Sequence, residues 1–152
     1  MAKTSNDMYL LDTNIVSMLD PNRRNRHPEL IDWLDRNGSR LFLSVMTIAE
    51  MDSGVAKLRR DGNSERADDI ALLVSAILAA FEDRVLPMDV ATARQLARLG
   101  SENYKMQIEL PDLIIAATAA RHGLVVLTRN MKDFGRLSVK SIDPIVALPA
   151  DV

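Results

Sequence analysis

The 152-residue chain contains no cysteine. That removes disulfides, cysteine–zinc sites, iron–sulfur clusters and thiol catalysis together. Histidine is nearly missing as well: His27 and His122 are the only two, which excludes a histidine-rich metal site. The six glycines are scattered, no two of them spaced two apart, so neither a dinucleotide fingerprint nor a phosphate-cradling P-loop is present. No G-x-S-x-G turn supports a serine nucleophile. Long hydrophobic runs are lacking too. Ile70 to Phe81 is the longest, interrupted by Ser75 and 12 residues in extent, against the roughly 20 that a bilayer requires. The opening Met-Ala-Lys-Thr-Ser-Asn-Asp carries one lysine and no apolar stretch, so it is not read as a signal peptide. A cytoplasmic protein is the expectation.

An excess of positive charge is also absent. Nineteen Lys and Arg face 21 Asp and Glu, for a net charge of −2, whereas a nucleic-acid binder usually shows a basic surplus. The balance conceals local clusters: Arg23, Arg24, Arg26 and His27; Lys57, Arg59 and Arg60; Arg129, Lys132, Arg136 and Lys140. Each is more often a solvated surface than a phosphate track.

What is present is 47% apolar sequence over a length suited to one domain. One unit over residues 1–152 is expected, its core about 8–145, with no repeat or linker to divide it. Met8 to Leu11 is an apolar run that stops at Asp12-Thr13-Asn14, and reads as a buried strand followed by a capped short helix. Pro28 opens a second helix that Asn37-Gly38 closes. Leu41 to Ser44 is the next strand, and Thr47-x-x-Glu50 resembles a capping box at the start of a third helix. Asp61 to Ser64 is a turn before a long helix to about Phe81. Val85 to Met88 is a strand candidate, and Asp89 caps a helix to Leu99-Gly100. Leu110-Pro111-Asp112 begins a strongly apolar helix ending at Gly123. Leu124 to Thr128 is a strand, Asn130 to Phe134 a short turn or helix, and Lys140 to Ile142 an edge strand. Short apolar strands alternating with helices predict an α/β fold with a parallel sheet covered on both faces. In such sheets ligands sit beyond the carboxyl ends of the strands.

Three acids occupy positions that this rule singles out. Asp12 ends the first strand, Glu50 falls at the start of the helix after the second, and Asp112 lies in the first turn of the most apolar helix. On a shared rim they would form a carboxylate cluster that needs a counter-charge. Oxygen ligands without His or Cys select Mg²⁺ or Mn²⁺, and such an ion suits phosphodiester hydrolysis because it activates water and neutralises phosphate. Each acid also has a plain structural reading: Asp12 as a helix cap, Glu50 as the partner in a capping box, Asp112 as first-turn dipole chemistry.

Four segments carry a resemblance. Tyr9-Leu10-Leu11-Asp12-Thr13-Asn14, Ser44 to Glu50, Leu110-Pro111-Asp112 through Ala119, and Val126-Leu127-Thr128-Arg129-Asn130-Met131-Lys132-Asp133-Phe134 resemble the PIN-domain family, in particular the VapC/FitB-type toxins of bacterial toxin–antitoxin pairs. The match runs from about Met8 to Ile145. It implies a PIN-like three-layer fold with a five-stranded parallel sheet, and a Mg²⁺-dependent (or Mn²⁺-dependent) endoribonuclease inhibited by a cognate antitoxin. It implies Asp12, Glu50 and Asp112 as metal-site acids, Thr13 and Asn14 as the polar pair after the first acid, and Thr128 as a site-lining hydroxyl. Many PIN domains place a fourth acid where this chain has Asn130; Asn130 is counted with the catalytic residues, and Asp133 is its nearest acidic substitute. Arg129 and the Arg23–Arg26 loop, represented by Arg24, are candidates for RNA phosphates. The resemblance also implies a homodimer, for which the Ile70–Phe81 helix is one interface and a buried core helix the competing reading. DNA would be contacted only through the antitoxin.

The alternative from another class is a non-catalytic PIN-like module acting with a DNA-binding antitoxin, which Asn130 keeps open. A receiver-like domain would need an acidic pair before its aspartate and a late lysine, where this chain ends the strand in Thr128-Arg129. A haloacid-dehalogenase-like phosphatase would need an aspartate at position 14, where Asn14 stands.

Overall fold

The computed structural model describes residues 6–151; residues 1–5, on which the signal-peptide reading largely falls, lie outside the described residues. The strands are β1 (Tyr9–Leu11), β2 (Leu41–Ser44), β3 (Val85–Leu86), β4 (Val125–Leu127) and β5 (Ser141–Ile142). They form one five-stranded sheet in the order β3-β2-β1-β4-β5, every pairing parallel. Between them run α1 (Thr13–Val16), α2 (Pro28–Arg36), α3 (Val45–Arg60), α4 (Ser64–Phe81), α5 (Val90–Glu102), α6 (Leu110–His122) and α7 (Met131–Phe134).

The central strands are buried on both sides because side chains alternate with a period of two. Tyr9 and Leu11 enter one core with Ile15, Trp33, Met51, Val74 and Phe81, while Leu10 enters the other with Leu99, Ile115 and Phe134. Val125 and Leu127 divide from Val126 in the same way. α1 to α4 therefore pack on one face and α5 and α6 on the other, which is the three-layer arrangement expected. Trp33 meets Tyr9 edge to face at 5.4 Å, a geometry aromatic quadrupoles favour.

Strand order places the chain reversal between β1 and β4, since the sequence runs outward from β1 through β2 and β3 and resumes at β4 on its other side. α6 feeds β4 directly: Gly123 adopts φ 64°, and Leu124 N donates to Ala119 O at 3.0 Å. A left-handed C-terminal residue of this kind favours glycine. With its C-terminus tied to the start of β4, α6 has its N-terminus, and Asp112, over the carboxyl edge of the sheet. This geometry, rather than a strand preceding the helix, is what brings Asp112 to the rim.

Two local expectations are corrected. α3 begins at Val45, capped by Ser44 Oγ, which accepts from Met46 N at 3.0 Å. Thr47 and Glu50 are thus no capping box, and Glu50 sits in the second turn. The β3 strand is shorter than Val85–Met88. The long helix α4 is buried along one side only: Val74, Ile77 and Phe81 are buried, whereas Leu72 is 70% exposed and Leu78 44%. Among the described residues no helix is long and apolar enough to cross a membrane.

Candidate active site

The carboxyl edge of the sheet at the β1/β4 reversal carries a connected set of polar side chains, as the rule for open parallel sheets anticipates. Asp12 leaves the end of β1 and is almost fully buried. Its Oδ1 accepts from Thr13 N at 2.8 Å, so it does cap α1. Its Oδ2 accepts from Thr128 Oγ1 at 2.7 Å, across from the end of β4. The Thr128 hydroxyl in turn accepts from Asn130 N at 2.9 Å and faces Asn14 Nδ2 at 3.5 Å. With one proton and two lone pairs, this hydroxyl is fully used.

On the β2 side, Thr13 Oγ1 donates to Glu50 Oε1 at 2.8 Å and lies 3.0 Å from Thr47 Oγ1. Thr13 has one hydroxyl proton, and it goes to the carboxylate, so Thr47 is the donor between the two threonines. That is the task of Thr47, a residue the sequence reading had assigned to a cap. On the α6 side, Asn130 Nδ2 donates to Asp112 Oδ2 at 3.2 Å and to Asp133 Oδ2 at 3.1 Å. Asn130 therefore bridges two carboxylates in the place of a fourth acid, and Asp133 restores the negative charge beside it.

The three acids share one electrostatic neighbourhood. Burial raises the carboxyl of Asp12 above its ordinary range despite the hydrogen bonds from Thr128 and Thr13. Burial also raises Glu50, helped by the charge of Asp12. Asp112 is pushed from an ordinary 3.8 to about 6, first by burial and then by the charges of Asp12, Glu50 and Asp133. Burial and like charge both disfavour an ionised carboxylate. Among the described residues none of the three has an ion-pair partner.

A divalent cation is the group such a cluster calls for, and the donor chemistry fits it. All the candidate ligands are oxygen, as hard cations require. No hydrogen bond within the described residues reaches Glu50 Oε2 or Asp112 Oδ1, which leaves both for a ligand. As placed, the side chains are held by Thr13, Thr128 and Asn130 rather than drawn together; among the described residues no group of three or more His, Cys, Asp or Glu is assembled to hold an ion.

The basic candidates separate. Arg129, Arg23, Arg26 and His27 line one hollow of about 300 Å³ with Asn14, Ser17 and Met18. Arg24 is not among them: it points to Asp35, with an N–O distance of 3.8 Å. Sequence reasoning missed the buried Asp20, which pairs with Arg66 of α4. Asp20-Pro21 looked like a simple helix breaker, and nothing local links it to a residue 46 positions away.

The chain is similar to known proteins over most of its length. The PIN domain family model matches residues 9–140. Toxin FitB of Neisseria gonorrhoeae is 34% identical over 140 residues, covering 90% of this chain and 98% of its own. VapC ribonuclease Y4jK of Sinorhizobium fredii is 32% identical over 143 residues, covering 90% and 97%. Among solved structures, FitAB bound to an IR36 DNA fragment contains a chain that superposes with a TM-score of 0.71 at 33% identity, covering 91% of this chain and 96% of that one.

Proposed function

This chain belongs to the PIN-domain family, and from that premise we propose that it is a metal-dependent endoribonuclease, the toxin of a toxin–antitoxin pair. The observation that supports the chemistry best is the convergence of Asp12, Glu50 and Asp112, from three distant parts of the sequence, on one rim without a counter-charge. The ribonuclease and toxin relatives cover nearly the whole chain.

Asp12, Glu50 and Asp112 would hold the cation, Mg²⁺ or Mn²⁺. Such an ion supplies charge to stabilise the phosphorane-like transition state and makes water a better nucleophile at neutral pH. The remaining residues set up the ligands. Thr128 fixes the outer oxygen of Asp12, Thr13 and Thr47 fix Glu50, and Asn130 fixes Asp112 against Asp133. Burial and like charge raise the Asp112 carboxyl to about 6, so a cation held there would compete with its proton, and affinity would rise with pH across this range.

The partner is a cognate antitoxin, with DNA reached through it, by analogy with the FitAB complex on DNA. The chain's own net charge of −2 suits that division. A second copy of this chain is the other expected partner.

The test is cleavage of a mixed tRNA and structured-RNA pool by antitoxin-free protein in Mg²⁺, Mn²⁺ or EDTA, beside Asp12→Asn. Asparagine still caps a helix well, so the variant should stay folded by circular dichroism while discrete, EDTA-sensitive products vanish. Products that persist in the variant would sink the assignment of Asp12, and a wild-type protein that never cuts would favour a binding module.

A further inference from the structure

The net acidity of the chain leaves a question: what draws a polyanion to a carboxylate site? Two hollows flank α1. The larger, of about 300 Å³, is lined by three arginines and a histidine and by no carboxylate. The smaller, of about 190 Å³, reaches Thr13, Glu50 and Arg66. Ser17 and Arg23 line both, so the two hollows adjoin at these residues; Glu50 lines the smaller one beside Asp20, the partner of Arg66. Asn14 links the basic end to Asp12 through Thr128: its Oδ1 accepts from Arg129 N at 3.3 Å and its Nδ2 faces Thr128 at 3.5 Å.

The arginines there are available and the loop beneath them is held. Among the described residues Arg23, Arg26 and Arg129 form no ion pair, unlike their neighbour Arg24. Asp20 O accepts from Arg23 N at 2.8 Å and from Arg24 N at 3.0 Å, and Asp20 Oδ1 accepts from Asn22 N at 3.1 Å. The other carboxylate oxygen of Asp20 is gripped by Arg66 from α4. A loop anchored this way presents its cations with less ordering cost on binding. Guanidinium groups match phosphate oxygens two bonds at a time.

We infer that the hollow bounded by Asn14, Ser17, Arg23, Arg26, His27 and Arg129 is the subsite for a backbone phosphate flanking the one that is cut. Arg26 and Arg129 hold that phosphate, and Arg23 marks the passage towards Glu50. The assignment rests on the ribonuclease reading above.

The experiment separates the two. Binding of a short, fluorescein-labelled single-stranded RNA of mixed sequence is followed by anisotropy on the Asp12→Asn protein, so that no cutting intrudes. Adding Arg26→Gln or Arg129→Gln should weaken binding about tenfold each. Each should also reduce the slope of log K against log salt by about 0.7. Arg60→Gln, an equal charge change at the far end of α3, should stay within about twofold. Both cleft arginines are exposed, and unchanged thermal melts will show that the variants fold. In otherwise wild-type protein the same two changes should raise KM while leaving kcat nearly unaltered. Equal weakening by all three substitutions, by none, or no RNA binding by the Asp12→Asn protein overturns the subsite. If the wild type never cuts but binding follows the expected pattern, the nuclease reading falls and takes the cut phosphate with it, while Arg26 and Arg129 keep their role in holding RNA phosphate. If cutting is intact with KM and binding unaffected by either change, only the subsite falls.

Discussion

Replacing Asp112 with asparagine should make the metal-free protein more stable while destroying its activity. The carboxyl of Asp112 titrates at about 6 in the fold against an ordinary 3.8. That difference is worth about 3 kcal/mol at full value. Asp112 is only half-buried, and solvent screening reduces this to about 1.5 kcal/mol. The sign follows from proton counting. Between about pH 4 and pH 6 the folded carboxyl keeps a proton that the unfolded chain releases, so stability falls as pH rises through this window. Above pH 6 the fold bears the whole penalty of an ionised, crowded carboxylate; below pH 4 it bears none. Asparagine carries no charge, and its side-chain oxygen still accepts the hydrogen bond from Asn130. Thermal melts in EDTA at pH 7.5 should therefore place Asp112→Asn about 3–6 °C above wild type. About two-thirds of the advantage should be gone at pH 4.5. Millimolar Mg²⁺ should raise the wild-type melting temperature at pH 7.5, by binding the native state alone, and move the variant little. A variant that melts lower than wild type at pH 7.5, or an advantage indifferent to pH, would refute the claim that these acids strain the fold when chelator withholds divalent cations.

Three further outcomes follow from other parts of the molecule. Glu82 has φ 49° and ψ −118°, the first central position of a type II′ turn, where glycine is at ease; Glu82→Gly should add about 1 kcal/mol in a urea titration. Arg66→Met strips the partner from Asp20, whose side chain is 4% exposed, and should cost about 3 kcal/mol. Adding Asp20→Asn to it should recover more than half of that loss, measured in the same way. Leu72 and Leu78 remain outward on α4, so Leu72→Lys with Leu78→Lys should shift gel filtration from dimer to monomer if α4 forms the interface; a dimer undisturbed by both charges would move the interface elsewhere.

Much of the architecture is legible without coordinates because its signals are local. Pro28 and Pro111 open helices, Gly123 closes one, and Leu41 to Ser44 and Val125 to Leu127 are apolar runs too short to be anything but buried strands. Asp12 and Asp112 stand out because each interrupts an apolar stretch at a position where a parallel sheet has its mouth. The start of α3 was misplaced for an equally local reason. Ser44 and Thr47 are both hydroxyl residues ahead of a helix, and only tertiary contact distinguishes them: Thr47 is turned inward to Thr13, leaving the cap to Ser44. The partition of the basic loop, with Arg23 and Arg26 facing the site and Arg24 facing Asp35, depends on the Asp20–Arg66 anchor. No spacing rule encodes a pair of charges that far apart.

The Asp12–Thr128 hydrogen bond joins residues 116 positions apart, and β1 lies in the middle of the sheet with β4 as one of its two neighbours. During synthesis Asp12 is made 116 residues ahead of the hydroxyl that orients it, and well before the strand that seats it. Until then Asp12 ends a strand whose β4 edge is open, and Asp112 has no Asn130 to meet. A chain that stops before β4 lacks the partners that hold both Asp12 and Asp112. The proposed centre is thus assembled only once β4 and Asn130 have been made, however early Asp12 appears.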